Sequence, residues 1–362
     1  MKRLILGIDA SRSTRDQPTG VERYSTEIIS AIIDELGDDF DLRLYTPEWI
    51  DKFPKSLQKR IRLPRFWSLI RLSLEMIFKK PDLLFIPAHV LPFFAPKRSF
   101  VTIHDLAYEK YPMAYGGLQS FYLGWSTRRA LKKAEKVIVP TDAVKKDLIK
   151  YYEANAHRIV VVHHGRVELA KVSQKEIAYT LDHYQLDEKE HLFFFIGRLE
   201  TKKNLMVLLD AWALVQRKNP QGRLFLGGMY GHGFDALFQR MEDSDLRGTV
   251  IAPGYIPEIE AASIFQAATA LVLPSREEGF GLPILQSFEA NCAVICSDIP
   301  ALREVGGDAA LYADPGDFAG FAKHMLTLIE DKKMQKKLVS KGQERIKLFS
   351  WQNAAKDIVA LF

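Results

Sequence analysis

Short apolar runs alternate with amphipathic stretches from one end of this chain to the other, and that alternation admits few folds. Strand-like runs occur at Leu4–Ile8, Leu42–Tyr45, Leu83–Ile86, Phe100–Ile103, Val137–Val139 and Ile159–Val162. Helical spacing appears between them at Val21–Leu36, Leu118–Ala134 and Ala143–Tyr152, the last opened by Thr141 or Asp142. A second set starts at His191–Ile196 and continues through Arg223–Leu226, Thr249–Ile251, Ala270–Leu273 and Ala293–Cys296, after a polar stretch at Lys171–Glu190. Apolar strands separated by helices call for parallel sheets covered on both faces. The 362 residues suffice for two such domains. The expectation is an α/β chain of two doubly wound, Rossmann-like domains, 1–170 and 171–345, with a terminal segment 346–362 whose helix opens at Ser350. A ligand would lie in a cleft at the carboxyl ends of the strands.

Composition narrows the function classes. With 47% hydrophobic and 26% charged residues the chain reads as an ordinary globular protein. It has no internal repeat or low-complexity segment. Cys292 and Cys296 lie in one apolar run and read as buried free thiols, which suits a reducing compartment. Met1–Asp9 turns polar too soon for a secretory signal, and no apolar run approaches the ~20 residues of a membrane span. A cytoplasmic location is expected. The net charge of +5 is modest, but residues 55–80 concentrate it: Lys55, Lys59, Arg60, Arg62, Arg65, Arg71, Lys79 and Lys80 interleave with Phe66, Trp67, Leu69, Ile70, Leu72, Leu74, Met76, Ile77 and Phe78. Such a stretch can lie on an anionic membrane surface, inner face included, or can be an ordinary domain helix with a core-facing side; both readings stay open. No recognition motif accompanies the charge, so nucleic acid is not expected as a partner.

Residues Pro274–Ala290 carry the most chemistry. An apolar run ends at Pro274, a short acidic turn follows, and a helical pattern starts near Leu282. A helix N-terminus after a glycine-containing loop aims backbone N–H groups at an anion. Gly279 and Gly281 let a ligand approach the backbone, and the carboxylate of Glu278 accepts hydrogen bonds from hydroxyls. Farther upstream, Arg198 offers a planar fork and Lys203 a point charge at the end of the 191–196 run. Gly227-Gly228-Met229-Tyr230-Gly231 lacks the spacing of a dinucleotide fingerprint and reads as a tight strand-to-helix turn.

Glu278-Gly279-Phe280-Gly281-Leu282-Pro283 resembles the donor-site signature of retaining glycosyltransferases of family four, which adopt the GT-B fold. Gly197-Arg198-Leu199 with Lys203-Asn204 resembles the same family's Gly-Arg-Leu-x-x-x-Lys-Asn run. Thr19-Gly20-Val21-Glu22-Arg23-Tyr24 resembles its Thr-Gly-Ile-Gly-Arg-Tyr segment, in the wording of the mannosyltransferase-like branch. His104-Asp105-Leu106 is a recurrent string of that family. The resemblance implies that Arg198 and Lys203 hold the donor pyrophosphate, that Glu278 holds a donor-sugar hydroxyl, and that Gly20 approaches the donor phosphate across the cleft. It further implies that Tyr255 and Ile256, in Gly254–Glu258, line the nucleotide base, and that Gly279, Phe280, Gly281 and Leu282 complete the donor site. His104 is expected to donate a hydrogen bond to the transferred sugar or leaving oxygen, with His89 as a second acceptor-side candidate; His163 and His164 read as cleft wall or hinge. The terminal helix is expected to return to the first domain.

One position departs from the pattern. The family's second glutamate, which accepts from ribose hydroxyls, is Gln286 here, so one acceptor is kept and the charge is lost. Asn291 and Ala293 replace a glycine and a proline, and Asn tolerates the left-handed conformation a helix end requires. No pair of carboxylates stands out as a glycosidase-like nucleophile and acid. The implied reaction is a retaining transfer of a hexose, mannose favoured, from a nucleotide-diphosphate sugar to a glycan or lipid-linked saccharide, with no metal and no other cofactor. A GT-B sugar-nucleotide epimerase and a non-catalytic nucleotide-sugar- or glycan-binding subunit are the alternatives.

Overall fold

The computed structural model describes residues 3–14, 19–62, 67–112, 115–187 and 190–362. The chain forms two units, Met1–Gly165 with Phe349–Phe362, and Arg166–Leu348. In the first, described residues form strands β1 (Leu4–Asp9), β2 (Phe40–Thr46), β3 (Gln58–Arg60), β4 (Leu83–Ile86), β5 (Arg98–Thr102), β6 (Lys136–Val139) and β7 (Ile159–Val161). They make one parallel sheet in the order β3-β2-β1-β4-β5-β6-β7. The second unit holds β8 (His191–Ile196), β9 (Gly222–Gly227), β10 (Val250–Gly254), β11 (Ala270–Leu273), β12 (Ala293–Ser297) and β13 (Leu311–Ala313), in the order β10-β9-β8-β11-β12-β13. Both sheets are doubly wound, and the strand order reverses between β1 and β4 and between β8 and β11. Ligands of open parallel sheets bind at the carboxyl ends of such strand pairs, where the two flanking connections leave on opposite faces.

The central strands are those whose apolar runs stand out in the sequence. Every residue of β4, β11 and β12 is buried. Two short strands at sheet edges were not expected: β3, which reads Gln-Lys-Arg, and β13. Three residues are too few to set up an alternation, and a polar edge strand lacks the apolar signal altogether.

The terminal helix Trp351–Val359 belongs to the first unit and packs on the helix Gly20–Glu35. The chain passes so close to Gly165 that a Cβ there would lie 2.3 Å from the Trp351 backbone nitrogen. The Phe362 ring then packs against Phe40, Phe85 and Phe100, and its carbonyl accepts from Arg98.

The basic stretch 55–80 is not one amphipathic helix. It divides into a turn at Lys55–Leu57, β3, a π-helical turn at Trp67–Arg71 and a helix at Leu72–Phe78, while Arg65 and Phe66 lie outside the described residues. Trp67, Leu72 and Met76 are core. Lys59 and Arg71 both pair with the buried Glu75, the latter at 3.7 Å, so part of the positive charge is neutralised within the fold. Ile70, Leu74, Ile77 and Phe78 are left exposed, Phe78 to 80%. Among the described residues no helix is long and apolar enough to cross a membrane.

Candidate active site

In the second unit the loops after β8 and β11 are tied together. Asn204 adopts a left-handed conformation (φ 59°) at the start of the helix Leu205–Lys218. Its side-chain amide donates to the carbonyls of Pro274 (3.0 Å) and Pro315 (2.6 Å), and its carbonyl accepts from Arg276 Nε at 3.0 Å. This buried crosslink holds Lys203 against the next loop, where its Nζ donates to Glu278 Oε1 at 2.6 Å. Ser275 Oγ donates to the same oxygen at 2.7 Å. Glu278 Oε2 is the oxygen to which no described protein group bonds, and the ammonium has donors to spare. The pair is therefore a fixed cation beside a fixed acceptor, which is what a phosphate next to a sugar hydroxyl requires.

Gly281 opens the helix Leu282–Glu289 at φ 97°, and a Cβ there would come within 2.6 Å of Leu302 Cδ2. Backbone angle and packing both demand glycine at this helix N-terminus. Arg198 is exposed beyond β8, with Nε 3.7 Å from Glu200 Oε2. Tyr255 is exposed; Ile256 is buried, its side chain against Gly227, so only its backbone can line a nucleotide. Phe280 is likewise buried and supports the turn from beneath, whereas Leu282 and Gln286 are half-buried on the helix. Asn291 takes the left-handed conformation (φ 57°) just after that helix, as its replacement of glycine requires.

Sequence reasoning passed over Ser275 and the Asn204 crosslink, whose partners lie 70, 72 and 111 residues away. It also passed over Tyr230, an exposed ring stacked on Phe234 with centroids 3.9 Å apart. The loop carrying Tyr230 pairs with Leu199, through Leu199 N to Met229 O and Gly231 N to Leu199 O, both 2.9 Å. The expectation that the sequence holds no Asp-x-Asp signature of a metal site needs a correction: Asp39-Phe40-Asp41 and Asp243-Ser244-Asp245 have that form. Asp41 pairs with Arg43, and Asp243 and Asp245 pair with Arg240. Among the described residues no group of three or more His, Cys, Asp or Glu is placed to hold a metal ion.

The first unit carries different equipment at its own strand-order reversal. A cavity of about 220 Å³ is lined by Arg12, Thr19, Glu22, His89, His104, Asp105, Tyr108 and Tyr115, among others. Buried Asp9 ends β1, accepting from Ser11 N (2.9 Å) and from Ser68 Oγ (3.0 Å), so it anchors the 67–71 turn to the strand end. Glu22 stands where the resembling segment has glycine. It caps its own helix by accepting from Thr19 N at 3.1 Å and lies 3.8 Å from Arg12 Nη1. A Cβ at Gly20 would meet nothing within 4 Å, so the unit's own packing does not explain this glycine.

His104 needs a correction. Its Nε2 lies 3.0 Å from the Pro87 carbonyl, which can only accept, so Nε2 carries the proton. Burial, partly opposed by that bond, lowers the pKa and favours the neutral ring. His104 thus presents Nδ1 as an acceptor, where a donor was expected. His164 is not a cleft wall either: it is buried, between Tyr24 (4.4 Å between centroids) and Trp351 (5.9 Å) under the returning helix. His163 packs on Phe349 where the chain re-enters the unit. Cys292 and Cys296 are buried free thiols, and burial pushes the Cys292 thiol up to about 12.

Comparison with known proteins covers both units. A family model described as Glycosyltransferase Family 4 matches residues 18–166, and one described as Glycosyl transferases group 1 matches residues 180–345. The O-antigen chain mannosyltransferase B of Escherichia coli is 28% identical over 359 residues, covering 92% of this chain and 93% of its own length. The O-antigen chain mannosyltransferase RfbU of Salmonella typhimurium is 24% identical, covering 83% and 84%. Among solved structures, WaaG, a glycosyltransferase involved in lipopolysaccharide biosynthesis, superposes with a TM-score of 0.77 at 14% identity over 99% of both chains. Anabaena Alr3699/HepE in complex with UDP-glucose gives 0.75 at 18% identity, again over 99% of both. At such identities the structural likeness speaks for the fold, and the sequence matches speak for the family. Taken with the strand orders of the two sheets, they mean that the chain belongs to the family four glycosyltransferases of GT-B fold and is related to their mannosyltransferases.

Proposed function

We propose that this glycosyltransferase moves a hexosyl group, mannosyl first, from a nucleotide-diphosphate sugar to a hydroxyl of a glycan or lipid-linked saccharide, with retention and without a metal. The observation that carries this reading is the Lys203–Glu278 pair, held at 2.6 Å beside a glycine-opened helix at the carboxyl ends of β8 and β11. Lys203, Arg198 and the amides of the Gly279–Gly281 turn stabilise the departing diphosphate, a role fixed cations and preorganised dipoles can fill. Glu278 Oε2 accepts from a donor-sugar hydroxyl, Gln286 from the ribose, and the exposed ring of Tyr255 lies beside the base. Gly20 leaves room for the donor phosphate. The diphosphate takes up the acceptor's proton as it leaves.

GDP-mannose is the first donor to try, since the curated relatives named above are mannosyltransferases; UDP and dTDP donors are its competitors. The acceptor side is assigned to the first unit's cavity, whose histidines and carboxylates suit hydroxyls better than phosphates. A peripheral place on an anionic inner-membrane surface is part of the proposal. Its support is the exposed set Ile70, Leu74, Ile77 and Phe78, linked through the Ser73 Oγ bond to Phe93 N (2.7 Å) with exposed Phe93 and Phe94. The match to transferase models over both units leaves the epimerase and binding-subunit readings without a specific observation of their own.

The test is a thermal-shift screen against GDP-, UDP- and dTDP-sugars, since a bound donor raises apparent stability by mass action. GDP-mannose should give the largest shift and, with a saccharide acceptor, release GDP undiminished by chelator. A response to none of the donors sinks the reading.

A further inference from the structure

A run of hydrogen bonds leads away from the first unit's cavity. His89 Nε2 lies 2.6 Å from Thr127 Oγ1, which lies 2.7 Å from the Tyr108 hydroxyl, which lies 3.1 Å from the Tyr152 hydroxyl. Tyr152 in turn donates to Glu109 Oε1. Neither geometry nor distance says which way the first three bonds point, but proton counting does. Each hydroxyl has one proton to give, and a carboxylate has none. Tyr152 gives its proton to Glu109, so Tyr108 must donate to Tyr152. Thr127 must then donate to Tyr108. Having no second proton, Thr127 can only accept from His89, so the imidazole proton sits on Nε2.

We propose that this one-way chain fixes His89 as the Nε2–H tautomer and commits its Nδ1 lone pair to an acceptor-sugar hydroxyl in the cavity, with Thr127, Tyr108, Tyr152 and Glu109 as positioning residues. The inference rests on the reading of that cavity as the acceptor side. Burial, outweighing the pull of Asp105, holds the His89 pKa down at about 4, so the ring is neutral near pH 7 and one nitrogen is an acceptor. His104, protonated on Nε2 by the Pro87 carbonyl, also carries its lone pair on Nδ1. Two acceptor nitrogens beside Glu22 and Asp105 make a cavity that receives hydroxyl protons. Chains of this kind polarise one another, so a change at Tyr152 is felt at His89 even though the two do not touch.

The test is nitrogen-15 NMR of the histidine rings in the full chain, with the His89 signals assigned by their loss in His89→Gln. Wild-type His89 should show the Nε2–H pattern alone. Tyr152→Phe, which keeps the ring under Arg128, releases Tyr108 and Thr127 to reverse, and His89 should become a mixture of tautomers. The KM for the acceptor should rise in inverse proportion to the Nε2–H fraction that remains, about twofold for an even mixture, with donor KM unchanged. Glu109→Gln keeps an acceptor carbonyl for Tyr152 and should preserve the wild-type tautomer. Should Tyr152→Phe not fold, Tyr108→Phe cuts the chain one link nearer and carries the same expectation. Wild-type His89 protonated on Nδ1, or an unchanged tautomer in the cut variants, overturns the inference while leaving transfer activity intact. Absence of transfer with every donor overturns the functional reading and leaves the tautomer result standing.

Discussion

Beyond the carboxyl ends of β8 and β11 stand Lys203, Arg198 and a helix opened by Gly281; beyond those of β1, β4 and β5 stand Glu22, His89, His104 and Asp105. The two sheets share one strand order, so topology fixes where a ligand can bind and says nothing about which ligand. The loops decide that. In the second unit they bring cations and a positive-φ glycine, the equipment for a diphosphate. In the first they bring neutral imidazoles and carboxylates, with Arg12 as the cation among the named lining residues, a set suited to hydroxyls. The same scaffold carries contrasting chemistry in its two copies, in keeping with the proposed division of labour between donor and acceptor.

The sharpest way to break that division is Lys203→Ala. Loss of a fixed cation aimed at the leaving group should lower kcat by about 10²–10³, as for other preorganised transition-state donors. Acceptor KM should change little, because the acceptor is assigned to the other unit. The substitution also strands the Glu278 carboxylate, which Lys203 and Ser275 both hold, so the melting temperature should be measured alongside turnover. Turnover within a factor of two of wild type would remove Lys203 from the site.

Two glycines extend the comparison from charge to backbone. At Gly281 the positive φ and the nearby Leu302 both oppose a side chain, and Gly281→Ala should cost about 1–3 kcal/mol of stability as well as donor affinity. At Gly20 nothing opposes it within the unit, and Gly20→Ala should change stability by less than about 0.5 kcal/mol while cutting turnover. Denaturation midpoints and initial rates, measured on both variants, separate a glycine required by the fold from one required by a substrate. Normal turnover in Gly20→Ala takes that residue out of the donor site.

The buried histidines set the first unit apart in its response to acid. Burial is the leading cause that lowers the pKa of His89, His104 and His164 below the ordinary value of 6.5, with His89 reaching about 4. Below pH 6.5 the unfolded chain takes up these protons, while the folded first unit takes them up only at lower pH, His89 at about 4. Unfolding therefore becomes easier as pH falls from about 6.5 toward 4, with a slope approaching about 1.4 kcal/mol per pH unit for one histidine. Hydrogen exchange at pH 7 and pH 5 should show protection falling first in β1, β4, β5 and β6. Equal loss in both sheets would mean that these histidines are not the sensitive groups.

The two regions also differ in how much of them could be read in the sequence. Central strands such as Leu83–Ile86 and Ala270–Leu273 are legible because burial on both faces leaves an unbroken apolar run. The turn proposed for the donor phosphates carries a local signal because glycine and helix start lie side by side along the chain, as in Gly281–Leu282. The left-handed conformation of Asn291 could be argued from the type of residue alone. What could not be read depends on distant partners. His104 looks like a donor to substrate until the Pro87 carbonyl engages its N–H, and His164 looks like a wall until Trp351 covers it. Asn204 and the Tyr152–Tyr108–Thr127 chain carry no local pattern, because their partners are chosen by the fold. In the basic stretch, sequence showed the charges but not Glu75 pairing with two of them.

Gln286→Glu is the smallest of the expected effects and the one that most refines the donor half. Gln286 is half-buried on the helix that Gly281 opens, and among the described residues no protein group bonds to its side-chain amide. A neutral amide can accept one hydrogen bond from a ribose hydroxyl, worth roughly 0.5–1.5 kcal/mol, where a carboxylate gains roughly 1.5–3. The new charge would also lie in a loop region already holding Glu278, and like charges there work against the diphosphate. If the ribose contact dominates, calorimetry with GDP should show binding up to about tenfold tighter, with Gln286→Leu weaker than wild type. If repulsion dominates, GDP will bind more weakly to Gln286→Glu while uncharged guanosine binds more tightly. Guanosine binding that is the same in all three proteins means that the ribose is held elsewhere, and the position then contributes to the helix rather than to the substrate.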